Sequence, residues 1–503
     1  MTTSSHITRL ARRGLQTATH ATPPPPPPMM SMAALAPKRK PRAEGDIGSV
    51  FASLSGEEAA VLPPRFRDLK RQIINDADRA ALTASWGRLT ARLAQAADEI
   101  ETAKQDAVPT VAYDDLINAD SGTIARIKRA GALVLTGVVP RPEAEGWLRQ
   151  VEEYVAANPQ VKGFPADDKQ VFEVYWSKPQ LAARAHPRSV AAQRALLSLF
   201  ASSPASSVSL ASPLMYADRL RVRHPGDSRF ALGPHMDGGS IERWEDPTYR
   251  SVYAAILQGQ WEAFDAFEIE ARSAANQNLY DGAGACGIFR AFQGWTSLSD
   301  TGPGEGTLRV YPLIKEETAY TLLRPLFREL KSKAEVGHEA YLAPDNWVLD
   351  TETTDFPGAP PARSQEFNDD THPHLQLSRS MVSIPRVRPG DQAWWHADTI
   401  HAVEAAHRGT GPSAVMYIPT VPLTRVNAAY VRDQLESLRD AVPPPDFPGG
   451  TGEQGFVGTG TVGDVVGHTA RQAMGIEPFE LSPDMPAGER AAREDANKIF
   501  GFA

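Results

Sequence analysis

Two stretches of this 503-residue sequence place histidine and aspartate where they could share a metal ion. The first runs Arg221-Val-Arg-His-Pro-Gly-Asp-Ser-Arg-Phe-Ala-Leu-Gly-Pro-His-Met-Asp-Gly-Gly239 and contains His235 and Asp237. In an extended strand, side chains at i and i+2 share a face, so these two can reach one ion together. Gly238 and Gly239 then let the backbone turn and keep the far side of the ion uncrowded. The second stretch, Pro389-Gly-Asp-Gln-Ala-Trp-Trp-His-Ala-Asp-Thr-Ile-His-Ala-Val403, offers His396 or His401 as a further imidazole after a Gly-Asp turn. Two imidazoles and one carboxylate on one face of an ion, with the opposite positions open, hold Fe(II) for oxygen chemistry. A His-x-Asp alone is a weak signal. His396-Ala-Asp398 repeats it here, and His372-Pro-His374 adds a further pair.

Positioning such a set takes strands, and the middle of the chain supplies them. Between about residues 218 and 422, short apolar runs alternate with Gly, Pro, Asn and Asp: 219–223, 287–298, 306–312, 381–387, 392–395, 399–403 and 413–419. Many short strands with turn chemistry between them read as a sandwich, barrel or jelly roll. Two long interruptions, a helical-looking one near 247–280 and a mixed one near 315–373, are expected as lids, substrate-facing insertions or disordered excursions.

Helices flank this region. Phe66, Leu69, Ile73 and Ile74, then Leu82, Trp86, Leu89, Leu93 and Ala97, recur at helical spacing and predict a helical cap over 46–120, with Pro63-Pro64 breaking it. A helix over 121–130, an apolar strand over 131–139 and a Pro-led helix from Pro140 follow. Further helices are expected at 189–200 and 427–440. The 431–503 extension mixes a Gly-rich loop at 449–467 with two short helices. Residues 1–45 read as a tail: 1–43 hold no acid, seven basic residues and the polyproline run Pro23–Pro28. That composition suits a mitochondrial transit peptide as well as a plain disordered tail, so the compartment is expected to be mitochondrial or cytoplasmic.

Composition narrows the function. A formal net charge of -9 argues against a nucleic-acid surface, and the single cysteine, Cys286, excludes intramolecular disulfides and cysteine-rich zinc sites. Absence of an apolar run of eighteen or more residues leaves no transmembrane helix to propose. The expected partners are O2 and a small-molecule substrate.

In the order of its motifs the chain resembles the Fe(II)/2-oxoglutarate-dependent dioxygenases. It is closest to the phytanoyl-CoA-dioxygenase-like branch and, within that, a microbial and fungal domain-of-unknown-function family. The matching pieces are the strand at 131–139, His235-Met-Asp237, the run Gln293 to Asp300 followed by Gly304 to Pro312, and Pro389-Gly-Asp391 through His401, together spanning about 125–425. The resemblance implies an α+β chain whose 121–430 core is a cupin-like double-stranded β-helix. It makes His235, Asp237 and His401 the Fe(II) ligands, with His401 rather than His396 in the distal place after the Gly390-Asp391 turn. His396 and Asp398 become supports that orient the ligands.

The implied reaction is oxidative decarboxylation of 2-oxoglutarate to succinate and CO2, coupled to hydroxylation of the substrate. Such enzymes grip the distal carboxylate with a basic residue on the last core strand, because a guanidinium fork matches a carboxylate at two points. The strand over 413–419 carries none. Arg408, Arg309 and Arg223 are the candidates in its place. That departure keeps two alternatives open: a silent metal-binding jelly roll, and a cupin-type metalloenzyme that uses no 2-oxoglutarate. Trp394, Trp395, Trp295, Phe289 and Tyr417 are candidate wall residues.

Overall fold

Eight strands carry the candidate site: β1 (Leu220–Arg223), β2 (His235–Met236), β3 (Phe292–Ser297), β4 (Leu308–Val310), β5 (Val382–Ser383), β6 (Gln392–His396), β7 (His401–Val403) and β8 (Ser413–Tyr417). The computed structural model describes residues 38, 39, 42, 50, 51, 53 and 61–502, except 230 and 283–285. The tail and transit-peptide readings therefore lie outside the described residues, apart from Lys38, Arg39 and Arg42.

The strands form two main sheets. An eight-stranded sheet runs Thr110–Ala112, Ala132–Thr136, β6, β3, β8, β1, Val171–Phe172 and Gly163–Phe164. A five-stranded sheet runs Gln365–Glu366, β2, β7, β4 and β5. Every pairing among the eight named strands is antiparallel. Alternation sets the faces: Gln293, Trp295 and Ser297 of β3, Val415 and Tyr417 of β8, and His401 and Val403 of β7 all turn into one cavity between the sheets.

Each expected strand in the middle region is present, shorter in every case but β6, which runs one residue past 395. The run at 287–298 is strand only from Phe292, because Phe289 is tied to a helix instead: its N–H donates to Asn427 Oδ1 (3.0 Å). Among the pairings that the sequence does not suggest, two stand out. Ser209–Leu214 pairs with Val421–Leu423, and Val171–Phe172 with β1. Their serine and proline content, or their two-residue length, erases the alternation that marks a strand.

Within 46–120, helices run over Arg65–Asn75 and Arg79–Ala103. Asp78 caps the second by accepting the N–H groups of Ala80 and Ala81 at 2.8 and 3.2 Å. This helix buries Leu82, Trp86, Leu89 and Leu93 against the 315–373 insertion. There Trp86 stacks on Phe327 at 4.4 Å and Tyr320 at 5.5 Å, with Trp347 at 5.6 Å. Trp86→Ala should cost about 3–5 kcal/mol of stability, read as a lower denaturant midpoint at an unchanged slope.

The C-terminal helices occupy Arg425–Asp440, capped by Thr424, and Ala487–Phe500. The glycine-rich loop returns to the main fold through Glu453. Its carboxylate accepts from Tyr154 Oη (2.8 Å) and from the N–H groups of Tyr175 (2.8 Å) and Trp176 (2.9 Å). Residues from Lys38 onward form one compact unit. Among the described residues no helix is long and apolar enough to cross a membrane.

Candidate metal centre

His235 and His401 sit directly opposite each other in the antiparallel pair β2 and β7. Their imidazoles consequently meet, with ring centroids 4.1 Å apart. Asp237 follows β2, its Oδ2 3.7 Å from His401 Nε2. One ligand atom from each of the three residues lies within 4.8 Å of the other two. The turn that brings Asp237 round needs glycine: φ is +77° at Gly238 and +95° at Gly239, in the left-handed region, and a Cβ on Gly238 would stand 2.9 Å from Gln277 Oε1.

Backbone carbonyls fix both imidazoles. His235 Nδ1 is 2.7 Å from Gly233 O and His401 Nδ1 3.0 Å from Thr399 O. Since a carbonyl only accepts, each Nδ1 carries the proton and each Nε2 keeps a lone pair for a metal. Gln293 Nε2 donates to Asp237 Oδ2 (3.0 Å), while Trp395 Nε1 donates to Gln293 Oε1 (2.6 Å) and sets that amide's orientation. Burial works to raise the Asp237 pKa. The charges of His235, His401 and Arg290 and the Gln293 bond outweigh it and hold the carboxyl at about 2. Burial, then the neighbouring His235, pushes His401 down to about 3. Carboxylate and neutral imidazole are the ligating forms, and a donor set of two nitrogens and one oxygen suits Fe(II).

His396 is elsewhere. It is fully buried among Phe267 (5.1 Å), Phe200 (5.6 Å) and Phe292 (5.8 Å), and its Nδ1 accepts the Asp398 N–H at 3.0 Å. Asp398 takes Arg272 Nη1 at 2.6 Å and Tyr253 Oη at 3.0 Å. Neither residue touches the His235, Asp237 and His401 group. They pin the turn between β6 and β7, and so act on His401 only through its backbone.

The three basic residues chosen by spacing are not brought to the cavity. Arg223 follows the inward parity of β1, but at the strand's end it grips Asp227 (2.5 Å) and the carbonyls of Glu404 and Ala405. Arg309 alternates with the cavity-lining Leu308, so it points away and donates to Met381 O at 2.6 Å. Arg408 is exposed on the loop before β8. Arg221 and Arg290 line the cavity instead. Arg221 faces Val415 across the pair β1 and β8, beside the strand where a basic residue was expected. Tyr417 hydrogen-bonds to it.

Of the wall candidates, Trp295, Trp395 and Tyr417 line the cavity. Trp394, next to Trp395, takes the opposite face of β6 and closes on Gly294, where a Cβ would stand 2.4 Å from its ring. Phe51, assigned no role from the sequence, sets its ring edge-on to His235 at 4.9 Å.

The buried histidines make the fold acid-sensitive. Burial pushes His374 and His396 from the ordinary 6.5 to about 3. Between those values the unfolded chain binds more protons than the folded one, so stability is complete above about pH 6.5 and falls as pH drops towards 3. Each pH unit in that window should cost about 1.4 kcal/mol per such histidine. Melting of the metal-free protein between pH 7 and 4.5 would reveal it.

The profile of the Gig2-like family matches residues 60–476. The Escherichia coli K12 protein "Uncharacterized protein YbiU" is 32% identical over 423 residues, covering 79% of this chain and 94% of YbiU. The crystal structure of GlcNAc Inducible Gene 2 from Candida albicans aligns with a TM-score of 0.80 at 32% identity, covering 88% of this chain and 96% of that one. A structure named "Putative Oxidoreductase", from Salmonella typhimurium LT2, aligns with a TM-score of 0.69 at 29% identity, covering 84% and 99% respectively.

Proposed function

The chain belongs to the Gig2-like family, and we propose that it is a non-haem Fe(II)/2-oxoglutarate-dependent oxygenase hydroxylating a small organic molecule. The observation that carries this reading is the convergence of His235, Asp237 and His401 on one cavity between two sheets. The strand order supports it. The sheets contain the runs β6-β3-β8-β1 and β2-β7-β4-β5, an alternation between sheets in keeping with a double-stranded β-helix. The oxidoreductase name of the Salmonella relative agrees.

In this reading His235 Nε2, His401 Nε2 and an Asp237 oxygen hold the iron, and Arg221 with Tyr417 holds the distal carboxylate of 2-oxoglutarate. Iron and cosubstrate together supply the activation of O2 that removes hydrogen from the substrate. The chain's part is positioning. Gln293 and Trp395 orient Asp237, while Trp295 and Tyr417 wall the cavity against water. Arg221 stays protonated even though burial lowers its pKa, so it keeps its charge for a carboxylate.

Purified protein given Fe(II), ascorbate, O2 and 2-oxoglutarate should form succinate. No succinate with a broad substrate panel would favour a silent metal-binding β-helix. Turnover independent of any keto acid would favour a cupin-type metalloenzyme.

A further inference from the structure

A second cavity arginine stands apart from the proposed cosubstrate grip. Arg290 lies two residues before β3 and three before Gln293, the partner of Asp237. Its backbone is clamped on both sides. Phe289 exchanges two hydrogen bonds with the Asn427 amide, at 3.0 and 3.2 Å, and Ala291 N–H donates to Thr420 O at 2.8 Å. The guanidinium sits over the ring of Tyr216, 5.6 Å from its centroid. Tyr216 is itself held by a bond to Asp446 (3.2 Å) and by stacking on Tyr430 at 5.3 Å. Arg290 is therefore a pre-positioned cation rather than a mobile surface group.

Among the described residues its guanidinium forms no ion pair and donates no hydrogen bond. The nearby acids are engaged elsewhere. Asp218 and Glu173 flank Arg219 at 3.7 and 3.5 Å, with Arg184 on the Asp218 carbonyl at 2.6 Å. Asp446 accepts the Gly287 N–H and lies 3.6 Å from Arg42. Asp237 is close enough for its charge to be felt at Arg290 but belongs to the metal group. The Asp237 charge offsets burial at Arg290 but would be shared with a bound metal, leaving Arg290 without a direct ion-pair partner, which a bound anion could supply.

We propose that Arg290 receives a carboxylate of the primary substrate, so that the substrate is a small organic acid anchored beside the metal. This rests on the function proposed above. There the Fe(II), the Asp237 carboxylate, the 2-oxoglutarate dianion and Arg221 sum to zero charge, and Arg290 is the cation left over. One monoanionic group balances it, and a planar guanidinium matches a carboxylate at two points. The cavity of about 180 Å³ has room for a small acid.

The test compares carboxylates with their isosteric amides: hexanoate with hexanamide, and phenylacetate with phenylacetamide, each titrated calorimetrically into full-length protein loaded with Mn(II) and 2-oxoglutarate. Inorganic phosphate is a further arm. At least one acid should bind roughly 10- to 100-fold more tightly than its amide. Arg290→Gln should erase that preference while leaving the affinity for 2-oxoglutarate unchanged, and Arg290→Lys, which keeps the charge, should restore part of it. Equal binding of acid and amide, no binding by either acid, preference for phosphate, or a preference surviving Arg290→Gln would each overturn the proposal. A loss of 2-oxoglutarate binding in Arg290→Gln would overturn it too, by giving Arg290 the cosubstrate role. Failure of wild-type protein to bind 2-oxoglutarate would strike the oxygenase reading alone, because the acid-to-amide comparison measures binding rather than turnover.

Discussion

Fe(II) affinity should fall at least about 100-fold in each of His235→Ala, Asp237→Ala and His401→Ala, and by no more than about 10-fold in His396→Ala. The contrast follows from geometry. His401 Nε2 is 3.7 Å from the Asp237 carboxylate, and its other nitrogen is held by Thr399 O. His396 is packed among three phenylalanines and reaches His401 only through the turn that Asp398 pins. The His396 variant should instead lose stability, through the cavity left in that aromatic cluster. Iron retained after anaerobic loading and desalting measures the first effect, and thermal melting of the metal-free proteins the second. Loss of iron from His396→Ala equal to that from His401→Ala would mean that the distal ligand has been misassigned.

Substituting Arg221 by Met should raise KM for 2-oxoglutarate about 100-fold while leaving iron affinity nearly intact, since a two-point charged hydrogen bond is worth several times a neutral one. Arg309→Ala and Arg408→Ala should leave KM unchanged, because neither side chain lines the cavity. Arg223→Ala should instead destabilise the loop at 404–405, whose carbonyls it holds. A normal KM in Arg221→Met would return the search for the carboxylate partner to Arg290.

These two expectations mark the boundary of what one sequence discloses. Strand positions and the His-x-Asp pair were legible, because two-residue alternation and turn residues are local properties. That His235 and His401 would face each other was implied only by resemblance to a family pattern. The arginine proposed for the cosubstrate was not legible, for a definite reason. Along the chain forward from His401, the strand expected to carry the base is 413–419. The proposed partner lies one strand over, on β1, where Arg221 opposes Val415. Cross-strand register between segments so far apart in the chain leaves no trace in local composition. Arg290 was hidden differently: it falls within a run that reads as strand, and its charge drew no notice there. Phe51 was placed in a helical cap, where nothing suggested contact with an imidazole.

The facing of His235 and His401 has one further consequence. β2 is two residues long and β7 three, too short to resist sliding by themselves. An ion bound by both histidines and by Asp237 would act as a rivet, joining segments separated by both long insertions and locking the strands against a one-residue slip. Because such a slip would carry His401 to the opposite face, metal occupancy and strand register should be lost together, in a single cooperative step.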